Sequence, residues 1–314
     1  MNGQELISVV MPTLNESVEQ LNVSISSILN QSYQKFEFII VDDGNKNLAS
    51  VLKNISDSRV RVVINNKPGL VNALNLAVGE AKGNWIARMD ADDVSLSTRL
   101  NDTYDFAIRN NLDLVGTAMY LIDYNGVRIG ELRYNAEVLN QKKIAEVLSE
   151  VDILPHPTWI VRKKVFEKIG GYKNYYKSED YAFLLSAIEV GTKLGYMDVP
   201  TLEYRTGLGR TTTSAGVYQT YFNIRKMQKS YKMKSMIKQD PQVIKVEFDE
   251  ISNFAKRSRE GIMQAIILRY NGEPYLNVQL IIFVVSQLLS GWVFDYLIYL
   301  FKQKSILRKL TRKD

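Results

Sequence analysis

The stretch Trp85-Ile86-Ala87-Arg88-Met89-Asp90-Ala91-Asp92-Asp93 joins a short apolar run to three carboxylates within four residues. The apolar run predicts a buried strand, so the carboxylates follow at the point where that strand ends. Carboxylates this close repel one another, and a divalent cation that also carries phosphate oxygens would neutralise them. Hard cations such as Mg²⁺ and Mn²⁺ bind through one or two carboxylates plus substrate phosphates. The alternative is a solvated acidic turn that caps a helix starting near Ser97.

Three further apolar runs predict strands earlier in the chain. Residues 6–11 form the first run, which stops at Pro12. Residues 36–41 form the second and residues 60–64 the third, and apolar side chains recur at helical spacing after the first and third runs. Strands that alternate with helices predict a parallel, doubly wound α/β sheet, because parallel neighbours need a long crossover connection.

Polar side chains follow each of the four predicted strands. They are Thr13 and Asn15 after the first, Asp42 and Asp43 after the second, Asn66 and Gly69 after the third, and Asp90, Asp92 and Asp93 after the fourth. In doubly wound sheets, ligands bind beyond the carboxyl ends of the strands. The sequence therefore predicts that these groups converge on one ligand site.

Seven short motifs occur in a fixed order along the chain. They are Val9-Val10-Met11-Pro12-Thr13-Leu14-Asn15-Glu16, Val41-Asp42-Asp43-Gly44, Ala87-Arg88-Met89-Asp90-Ala91-Asp92-Asp93, His156-Pro157-Thr158, Gly170-Gly171-Tyr172, Glu179-Asp180 and Tyr204-Arg205. This ordered set resembles the family 2 glycosyltransferases, which are inverting enzymes of the GT-A fold. The resemblance covers about the first two-thirds of the chain, and the set is far more specific than any single motif.

The resemblance implies a binding site for a nucleotide sugar. Pro12, Thr13 and Asp42 would line the pocket for the base and ribose, and a carboxylate at a strand end can accept the imide N–H of uracil. The alternative role of Asp42 is to cap a helix or turn. Arg88 is expected near the diphosphate, and its alternative is a structural ion pair with a neighbouring carboxylate.

The acidic cluster is implied to bind a metal ion, Mn²⁺ or Mg²⁺. Asp90 and Asp92 would contact the donor ribose and the metal, with Asp92 as the direct ligand. Asp93 is expected either to belong to this cluster or to cap the helix that follows. Asn15 and Asn66, which follow the first and third strands, complete the candidate contacts to the nucleotide sugar.

Candidate residues for the acceptor side lie later in the chain. Glu179 and Asp180 open a predicted helix, where carboxylates are common caps stabilised by the helix dipole. In the family this pair supplies the catalytic base, and Asp180 is the matching residue. His156 is expected either to be structural or to belong to the acceptor site. The family usually carries a histidine two residues after the arginine that matches Arg205; the sequence lacks it, so Arg205 or Arg210 is expected to supply positive charge to the leaving group.

The composition narrows the chemistry. The 314 residues include no cysteine, which excludes disulfides, thiolate nucleophiles and cysteine metal sites. They include one histidine, so a carboxylate is the expected general base. Hydrophobic residues make up 46% of the chain, as in folded proteins, and the net charge is +6. The first residues lack a basic segment followed by an apolar one, so no secretory signal is expected.

A change in composition near residue 217 predicts a boundary between a catalytic domain, residues 1–216, and a helical C-terminal region, residues 217–314. Within that region, residues 276–294 carry no charged side chain, but polar side chains recur on one side at helical spacing. This pattern favours an amphipathic helix over a lipid-embedded one. We expect the apolar segment 276–301 and the basic tail after it to bind anionic lipid at the cytoplasmic face of the inner membrane, and not nucleic acid. Burial in the protein's own core is the alternative.

Together these features predict an inverting, metal-dependent glycosyltransferase. It would move a hexose, such as glucose, galactose or an N-acetylhexosamine, from a UDP-sugar to a saccharide acceptor. The expected acceptor is a lipid-linked oligosaccharide in capsule, O-antigen or exopolysaccharide synthesis. One alternative is a sugar nucleotidyltransferase, which would need a glycine-rich phosphate loop and a lysine after the first strand. The other is a non-catalytic nucleotide-binding membrane scaffold, which would need no Asp180.

Overall fold

The computed structural model describes residues 4–134, 141–175 and 178–206, together with residues 224, 228 and 305. The strands in these ranges are β1 (Ile7–Thr13), β2 (Phe36–Asp42), β3 (Val60–Ile64), β4 (Trp85–Arg88), β5 (Val94–Ser95), β6 (Leu114–Ile122), β7 (Arg128–Leu132), β8 (Ile160–Arg162) and β9 (Leu194–Arg205). The α-helices are α1 (Val18–Leu29), α2 (Leu48–Leu52), α3 (Leu70–Glu80), α4 (Arg99–Arg109), α5 (Gln141–Leu148), α6 (Lys163–Ile169) and α7 (Glu179–Glu189). A short 3₁₀ helix spans His156–Thr158.

The strands form one sheet in the order β3-β2-β1-β4-β8-β6-β9-β5, and β7 pairs with β6. Strands β3, β2, β1 and β4 are parallel neighbours, and β6 runs parallel to β9. Strands β8, β5 and β7 pair antiparallel with their neighbours. The α/β architecture predicted from alternating strands and helices is therefore confirmed, with its parallel half formed by the first four predicted strands.

Helices cover both faces of the sheet. Along β1, Val10 belongs to one hydrophobic core, while Val9 and Met11 belong to the other. This alternation follows from the two-residue period of a strand. One core includes side chains from α3, α5, α6 and α7, and the other includes side chains from α1, α2 and α4. A doubly wound sheet needs such strands, which are apolar on both faces.

Strand β1 continues through Pro12 to Thr13, although the sequence predicted that it stops at the proline. Val10 accepts a hydrogen bond from the amide of Met89 on the β4 side, whereas Thr13 accepts one from Asp43 on the β2 side. Pro12 therefore faces the β4 side, where pairing has already ended at Val10 and Arg88. The missing N–H of the proline costs no ladder hydrogen bond at this position.

The acidic cluster does not cap the helix that follows it. Strand β5 comes first and pairs antiparallel with β9, and α4 begins only after Thr98. The predicted alternatives of an acidic turn capping a helix near Ser97, and of Asp93 as the cap, are therefore wrong. Pairing with β9 draws Val94 and Ser95 into the sheet, which a reading of local sequence does not reveal.

The second half of the chain contains a β-hairpin. Strands β6 and β7 pair across a turn in which Asp123 accepts a hydrogen bond from the amide of Val127 at 2.9 Å, and Gly126 has φ +83°. Helix α6 ends at Gly170, whose left-handed backbone is the conformation that glycine favours at a helix C-terminus. Helices α2 and α5 and strand β5 were not predicted.

The predicted C-terminal region, residues 217–314, lies outside the described residues except for residues 224, 228 and 305. The apolar segment 276–301 and the basic tail are therefore not located by the fold. Within the described part of the chain, no helix is both long and apolar enough to cross a membrane.

Candidate functional site

The predicted nucleotide-binding residues lie at the carboxyl ends of adjacent strands. Thr13 pairs with Asp42 in the β1–β2 register, and Val10 pairs with Arg88 across β1 and β4. Pro12 and Thr13 are buried, whereas Asn15 in the loop after β1 is exposed. The sheet therefore brings Pro12, Thr13, Asp42 and Arg88 to one edge, as the convergence of strand ends predicted.

Asp42 caps the turn that follows β2. Its Oδ1 accepts hydrogen bonds from the amides of Gly44 and Asn45, both at 2.9 Å, and Gly44 has φ +103°. The turn-capping alternative for Asp42 is thus observed. These bonds engage one carboxylate oxygen, so the expected contact with a base through Oδ2 stays a prediction.

The loops after β1 and β2 are tied together by Glu16, which the sequence did not single out. Its Oε2 accepts hydrogen bonds from the amide of Leu14 and from Nδ2 of Asn45, both at 2.8 Å. Its backbone carbonyl accepts a third from Nδ2 of Asn47 at 2.9 Å. Glu16 therefore fixes the spacing of the two loops that flank Asp42.

Asp43 plays the equivalent structural role between β2 and β3. Its Oδ1 accepts a hydrogen bond from Nδ2 of Asn65 at 2.7 Å, and both of its oxygens lie 3.1 Å from the amide of Gly69. Asn65 is buried, while the predicted contact Asn66 is exposed at the same strand end. The structural partner in this loop is Asn65, and a ligand role for Asn66 stays a prediction.

Arg88 forms a buried ion pair with Asp90. Its side chain is 4% exposed and that of Asp90 is 29% exposed. Burial opposes the charge of Arg88, but the carboxylate of Asp90 outweighs that cost and raises the pKa of the guanidinium. Nε of Arg88 is buried and has no hydrogen-bond partner within the residues that the structure describes. The ion-pair alternative is thus observed, and Arg88 also retains a buried donor for an anionic ligand.

A second arginine, Arg99, supports the same strand end from α4. It donates hydrogen bonds to the carbonyls of Arg88 and, at 2.8 Å, Pro157. Burial lowers the pKa of Arg99 to about 10, so its guanidinium is charged at neutral pH. Arg99 links the acidic strand end to the segment that carries His156. In the sequence, Arg99 lies in a pattern typical of an amphipathic helix, and that pattern does not predict these hydrogen bonds.

Arg205 holds the acidic turn against the β6–β7 hairpin. Its amide donates to Oδ1 of Asp93 at 2.8 Å, and its Nε donates to the carbonyl of Asp92 at 2.8 Å. Its Nη1 donates to the carbonyls of Asp123 and Tyr124 at 3.0 and 2.7 Å. The structure shows a clamping role for Arg205, and its expected contact with the leaving group stays a prediction. Arg210 lies outside the described residues.

The three carboxylates of the acidic cluster differ in their surroundings. Asp93 is fully buried, and burial together with the charge of Asp90 raises the pKa of Asp93 well above its usual range. Asp92 and Asp90 are partly exposed. Asp93 therefore belongs to the packed interior, and Asp90 and Asp92 are the two that solvent reaches.

The donor set of Asp90 and Asp92 fits a hard divalent cation. Within the described residues, no group of three acidic or histidine side chains is arranged to hold a metal by itself. Mg²⁺ and Mn²⁺ are commonly bound by one or two carboxylates, with phosphate oxygens and water completing the coordination. Two carboxylates at one strand end are the kind of partial donor set that such a cation shares with phosphate oxygens of a substrate.

Glu179 and Asp180 occupy the first turn of α7, as predicted. Burial, reinforced by the charge of Asp180, raises the pKa of Glu179 to about 7. Burial also raises the pKa of Asp180, although a hydrogen bond from the amide of Tyr181 opposes the shift. Asp180 is nevertheless partly exposed to solvent. A partly exposed carboxylate of raised pKa is suited to accept a proton.

The first turn of α7 is anchored from behind by Tyr181. Its hydroxyl donates to the carbonyl of Leu148 at 2.5 Å and accepts from Nε2 of Gln228 at 3.1 Å. The segment after α5 also carries Asp152, whose pKa is raised by burial and by the charge of Asp180. Sequence reasoning missed Asp152, although an aspartate inside the apolar run Val151-Asp152-Ile153-Leu154 was a possible signal.

His156 is buried beside Tyr172, and its Nε2 lies 2.9 Å from the tyrosine hydroxyl. Burial raises the pKa of that hydroxyl, and the charges of Arg88, Asp180 and Glu179 act on the same group. The Tyr172 hydroxyl is therefore within electrostatic reach of both the Arg88–Asp90 ion pair and the carboxylates that begin α7. Residues from three of the motifs thus act on one buried hydroxyl, and Tyr172 is a residue to which the sequence gave no role.

With this geometry established, comparison with known proteins assigns the family. The family model described as "Glycosyl transferase family 2" matches residues 8–170, which is more than half of the chain. The chain belongs to glycosyl transferase family 2. The predicted resemblance is therefore confirmed, and the family assignment makes the chain a transferase.

Two similar proteins come from Escherichia coli. The O-antigen biosynthesis glycosyltransferase WbnJ is 36% identical over 220 residues, which cover 68% of this chain and 85% of WbnJ. The UDP-Glc:alpha-D-GlcNAc-diphosphoundecaprenol beta-1,3-glucosyltransferase WfgD is 30% identical over 124 residues, covering 39% of this chain and 49% of WfgD.

The fold is shared with TarS of S. aureus. The crystal structure of TarS residues 1–349 with UDP-GlcNAc has a TM-score of 0.60 to this chain, at 18% sequence identity. The match covers 85% of this chain and 74% of the TarS chain. A second TarS structure, solved with UDP, has a TM-score of 0.56 at 19% identity, over 76% of this chain and 68% of that one. The GT-A type of fold that the sequence predicted is confirmed by this likeness.

Proposed function

We propose that this family 2 glycosyltransferase moves a hexose from a UDP-sugar to a saccharide acceptor and inverts the anomeric configuration. The observation that carries the proposal is the buried Arg88–Asp90 ion pair at the strand ends together with the Glu179 and Asp180 carboxylates, since all four charges act on the pKa of the same Tyr172 hydroxyl. A cation and a carboxylate pair of raised pKa are the two groups that a single displacement at a sugar carbon needs. They would act on the leaving group and on the nucleophile respectively.

The donor would lie along the carboxyl ends of β1, β2 and β4. Pro12, Thr13 and Asp42 would contact the base and ribose, with Asn15 and Asn66 at the rim. The buried, unpaired Nε of Arg88 supports a diphosphate beside it, because a buried donor gains free energy by pairing with an anion. UDP and UDP-GlcNAc bound to the similarly folded TarS make UDP the first nucleotide to test.

We further propose that Asp90 and Asp92 hold Mn²⁺ or Mg²⁺, with Asp92 as the direct ligand. When bound, the cation would neutralise the diphosphate as negative charge develops on it. Arg88 would contribute positive charge on the same side. Since Asp90 is already paired with Arg88, the ion pair would hold both side chains at the diphosphate before the donor arrives.

On the acceptor side, Asp180 would take the proton from the attacking hydroxyl group. The hydroxyl oxygen forms the new bond to the anomeric carbon as the bond to the diphosphate oxygen breaks, and the displaced UDP leaves from the opposite face. An α-linked donor then gives a β-linked product. The raised pKa of the Glu179 and Asp180 pair makes it a stronger base than an ordinary surface carboxylate.

The acceptor is proposed to be a lipid-linked saccharide in polysaccharide biosynthesis. WbnJ is named for O-antigen biosynthesis, and WfgD for a diphosphoundecaprenol-linked acceptor. We propose that residues 217–314 form a separate C-terminal region, and that segment 276–301 and the basic tail keep the enzyme at the cytoplasmic face of the membrane on anionic lipid. Membership of the transferase family favours this function over the nucleotidyltransferase and scaffold alternatives.

Two measurements test the proposal. In the first, nucleotide sugars are compared for protection against thermal unfolding, with and without Mn²⁺. UDP-sugars should protect most and should need the metal, and protection by a different nucleotide alone would reject the donor assignment.

In the second measurement, Asp180→Asn is assayed for transfer and for UDP binding. Transfer should fall by orders of magnitude while UDP still protects, because a base acts in the transition state and not in donor binding. Exposed Glu167 on α6 offers a control, since Glu167→Gln should leave transfer unchanged. If UDP binding is lost with transfer in Asp180→Asn, the residue is a structural cap or a ligand and not the base.

A further inference from the structure

His156 is the one histidine of the chain, and it is 7% exposed at the start of the 3₁₀ helix. Its ring packs edge-on against Trp159, with the ring centroids 4.5 Å apart, and against Tyr172 at 5.4 Å. Its Nε2 lies 2.9 Å from the Tyr172 hydroxyl. The orientation of the imidazole is therefore fixed by two aromatic rings and one hydrogen bond.

The direction of that hydrogen bond follows from what else the two groups can reach. Burial lowers the pKa of His156, and the nearby charge of Arg88 adds to this effect, so the ring is neutral and carries one N–H. Tyr172 is 5% exposed, and its hydroxyl has His156 as its one hydrogen-bond partner within the described residues. If Nε2 carried the proton, the phenol hydrogen would be buried without an acceptor, which costs free energy. The tyrosine is therefore the donor, and the imidazole N–H is at Nδ1.

Tyr172 is itself held at its backbone by α3. Nδ2 of Asn75 donates to the Tyr172 carbonyl at 3.0 Å, and Oδ1 of Asn75 accepts from the Tyr172 amide at 2.8 Å. Gly171 has φ +78°, and a β-carbon there would lie 2.6 Å from Oδ1 of Asn75. The ring packs against Phe166 and Phe183, with centroids 5.5 and 5.0 Å away. The phenol oxygen therefore has a defined position that does not depend on bound ligand.

We propose that Tyr172 is a positioning residue that fixes His156 as its Nδ1–H tautomer, so that the imidazole offers a hydrogen-bond donor to a hydroxyl oxygen of the acceptor saccharide. This inference rests on the proposed function, because it assigns the His156 side of the cluster to the acceptor. A neutral imidazole has one N–H, and the tautomer decides which ring nitrogen carries it. In His156 that donor is Nδ1–H, which can bind a sugar hydroxyl oxygen. The Tyr172 hydroxyl would thus determine how the acceptor is oriented towards Asp180 without touching it.

A single histidine makes the tautomer directly measurable. In uniformly ¹⁵N-labelled protein, long-range ¹H–¹⁵N correlations of the imidazole report which nitrogen carries the proton. We expect Nδ1–H in the unsubstituted protein and a change of tautomer populations in Tyr172→Phe. Tyr33→Phe is the matched control, because Tyr33 is equally buried and donates to the carbonyl of Glu5 at the other end of the sheet. That control should keep the Nδ1–H tautomer.

Transfer assays complete the test. Tyr172→Phe should lower transfer about tenfold, the loss expected for one hydrogen bond, while UDP still protects against thermal unfolding. A second pair of variants does not depend on Tyr172. The side-chain amide of asparagine can replace an Nδ1–H donor and that of glutamine an Nε2–H donor, so His156→Asn should retain more transfer than His156→Gln.

Specific outcomes would overturn the inference. An Nε2–H tautomer in the unsubstituted protein would do so, as would unchanged transfer in Tyr172→Phe or greater activity in His156→Gln than in His156→Asn. The tautomer measurement needs no turnover. If no donor supports transfer by the unsubstituted protein, the proposed function fails, and the role of Tyr172 in fixing the imidazole is still decided by the spectrum.

Discussion

At the scale of single residues, the two halves of the candidate site are built in different ways. On the donor side, Arg88 keeps its charge through the carboxylate of Asp90, and its buried Nε is available to an anion. On the acceptor side, Glu179 and Asp180 share a poorly solvated helix start, which raises the pKa of both carboxyl groups. The first arrangement favours binding of negative charge, and the second favours uptake of a proton.

Asp92→Asn should abolish metal-dependent transfer and leave the fold intact. Asparagine keeps the size of the side chain but removes the negative charge that a divalent cation requires. Transfer should be measured against Mn²⁺ concentration, with thermal unfolding as the check on folding. Asp105→Asn is a control because Asp105 lies on the surface, where it pairs with Arg109 and accepts a hydrogen bond from Asn101 within the same helix, and such surface contacts contribute little. Full transfer in Asp92→Asn, or in the unsubstituted enzyme with excess chelator, would reject the metal assignment.

Glu179→Gln should raise the free energy of unfolding more at pH 8 than at pH 5. In the folded protein the pKa of Glu179 is about 7, against 4.5 for an ordinary glutamate, so the folded state binds the proton more tightly. The protein with Glu179 therefore loses on the order of 1–3 kcal/mol of stability as the pH rises from about 5 to above 7. The variant does not show this loss, because glutamine does not titrate.

Chemical denaturation of both proteins at the two pH values measures this difference. The same substitution at Glu167, which is exposed on α6, should give equal effects at pH 5 and pH 8. A Glu179→Gln effect that does not depend on pH would mean that Glu179 is well solvated. The expected gain in stability would also mark Glu179 as a residue kept for function at a cost in folding.

At the scale of elements, the junction between α6 and α7 depends on backbone geometry. Gly170 and Gly171 both have positive φ, and the second also lies against Asn75 of α3. The junction places Tyr172 against His156. It also connects α6 to α7, the helix that carries Asp180. A side chain at Gly171 would therefore disturb both the fold and the acceptor side.

Gly171→Ala should lower the free energy of unfolding by about 1–3 kcal/mol, because alanine strains the left-handed backbone and its β-carbon meets Asn75. Gly79→Ala in α3 is the matched control. A β-carbon there meets nothing within 4 Å, so alanine should stabilise the helix by roughly 0.5–1 kcal/mol. Urea denaturation measures both values, and equal stability of the two variants would contradict the role given to the junction.

At the scale of the whole molecule, the described residues form a nine-stranded α/β sheet with helices on both faces. The proposed membrane contact involves the chain beyond it, where segment 276–301 precedes the basic residues of the tail. Positive charge on both sides of this segment favours one membrane face for both flanks, so a helix lying along the inner leaflet satisfies the charge pattern and a single crossing does not.

Deletion of residues 276–314 should release the enzyme from membranes and preserve transfer to a soluble acceptor analogue. Apolar area and the basic tail would be lost together, while the sheet and its strand-end site stay intact. Fractionation of cells that express the full-length and shortened chains measures the first effect. An insoluble, unfolded product would favour the alternative that the segment packs in the protein's own core. Protease cleavage of the tail from outside intact cells would show a membrane span.

The sequence by itself determined the parallel half of the fold and the approximate place of the site. Apolar runs that alternate with helical patterns identify β1 to β4, and polar residues just after each run must meet at one edge, because parallel strands end on the same side. The ordered motifs also gave the family, and they placed Asp180 at the start of α7. These are local patterns, and each can be recognised within a window of about ten residues.

Only the tertiary structure decided how these groups are paired. Arg205 meets Asp93 across 112 residues of sequence, Asn75 holds Tyr172 across 97, and Arg99 reaches Pro157 across 58. Strand β5 enters the sheet because β9 lies beside it, which overrides the local preference of the acidic turn to cap a helix. A hydrogen bond depends on position in space and not on separation along the chain. For that reason the roles of Arg205, Asp43 and Tyr172 became visible only when the sheet brought their partners together.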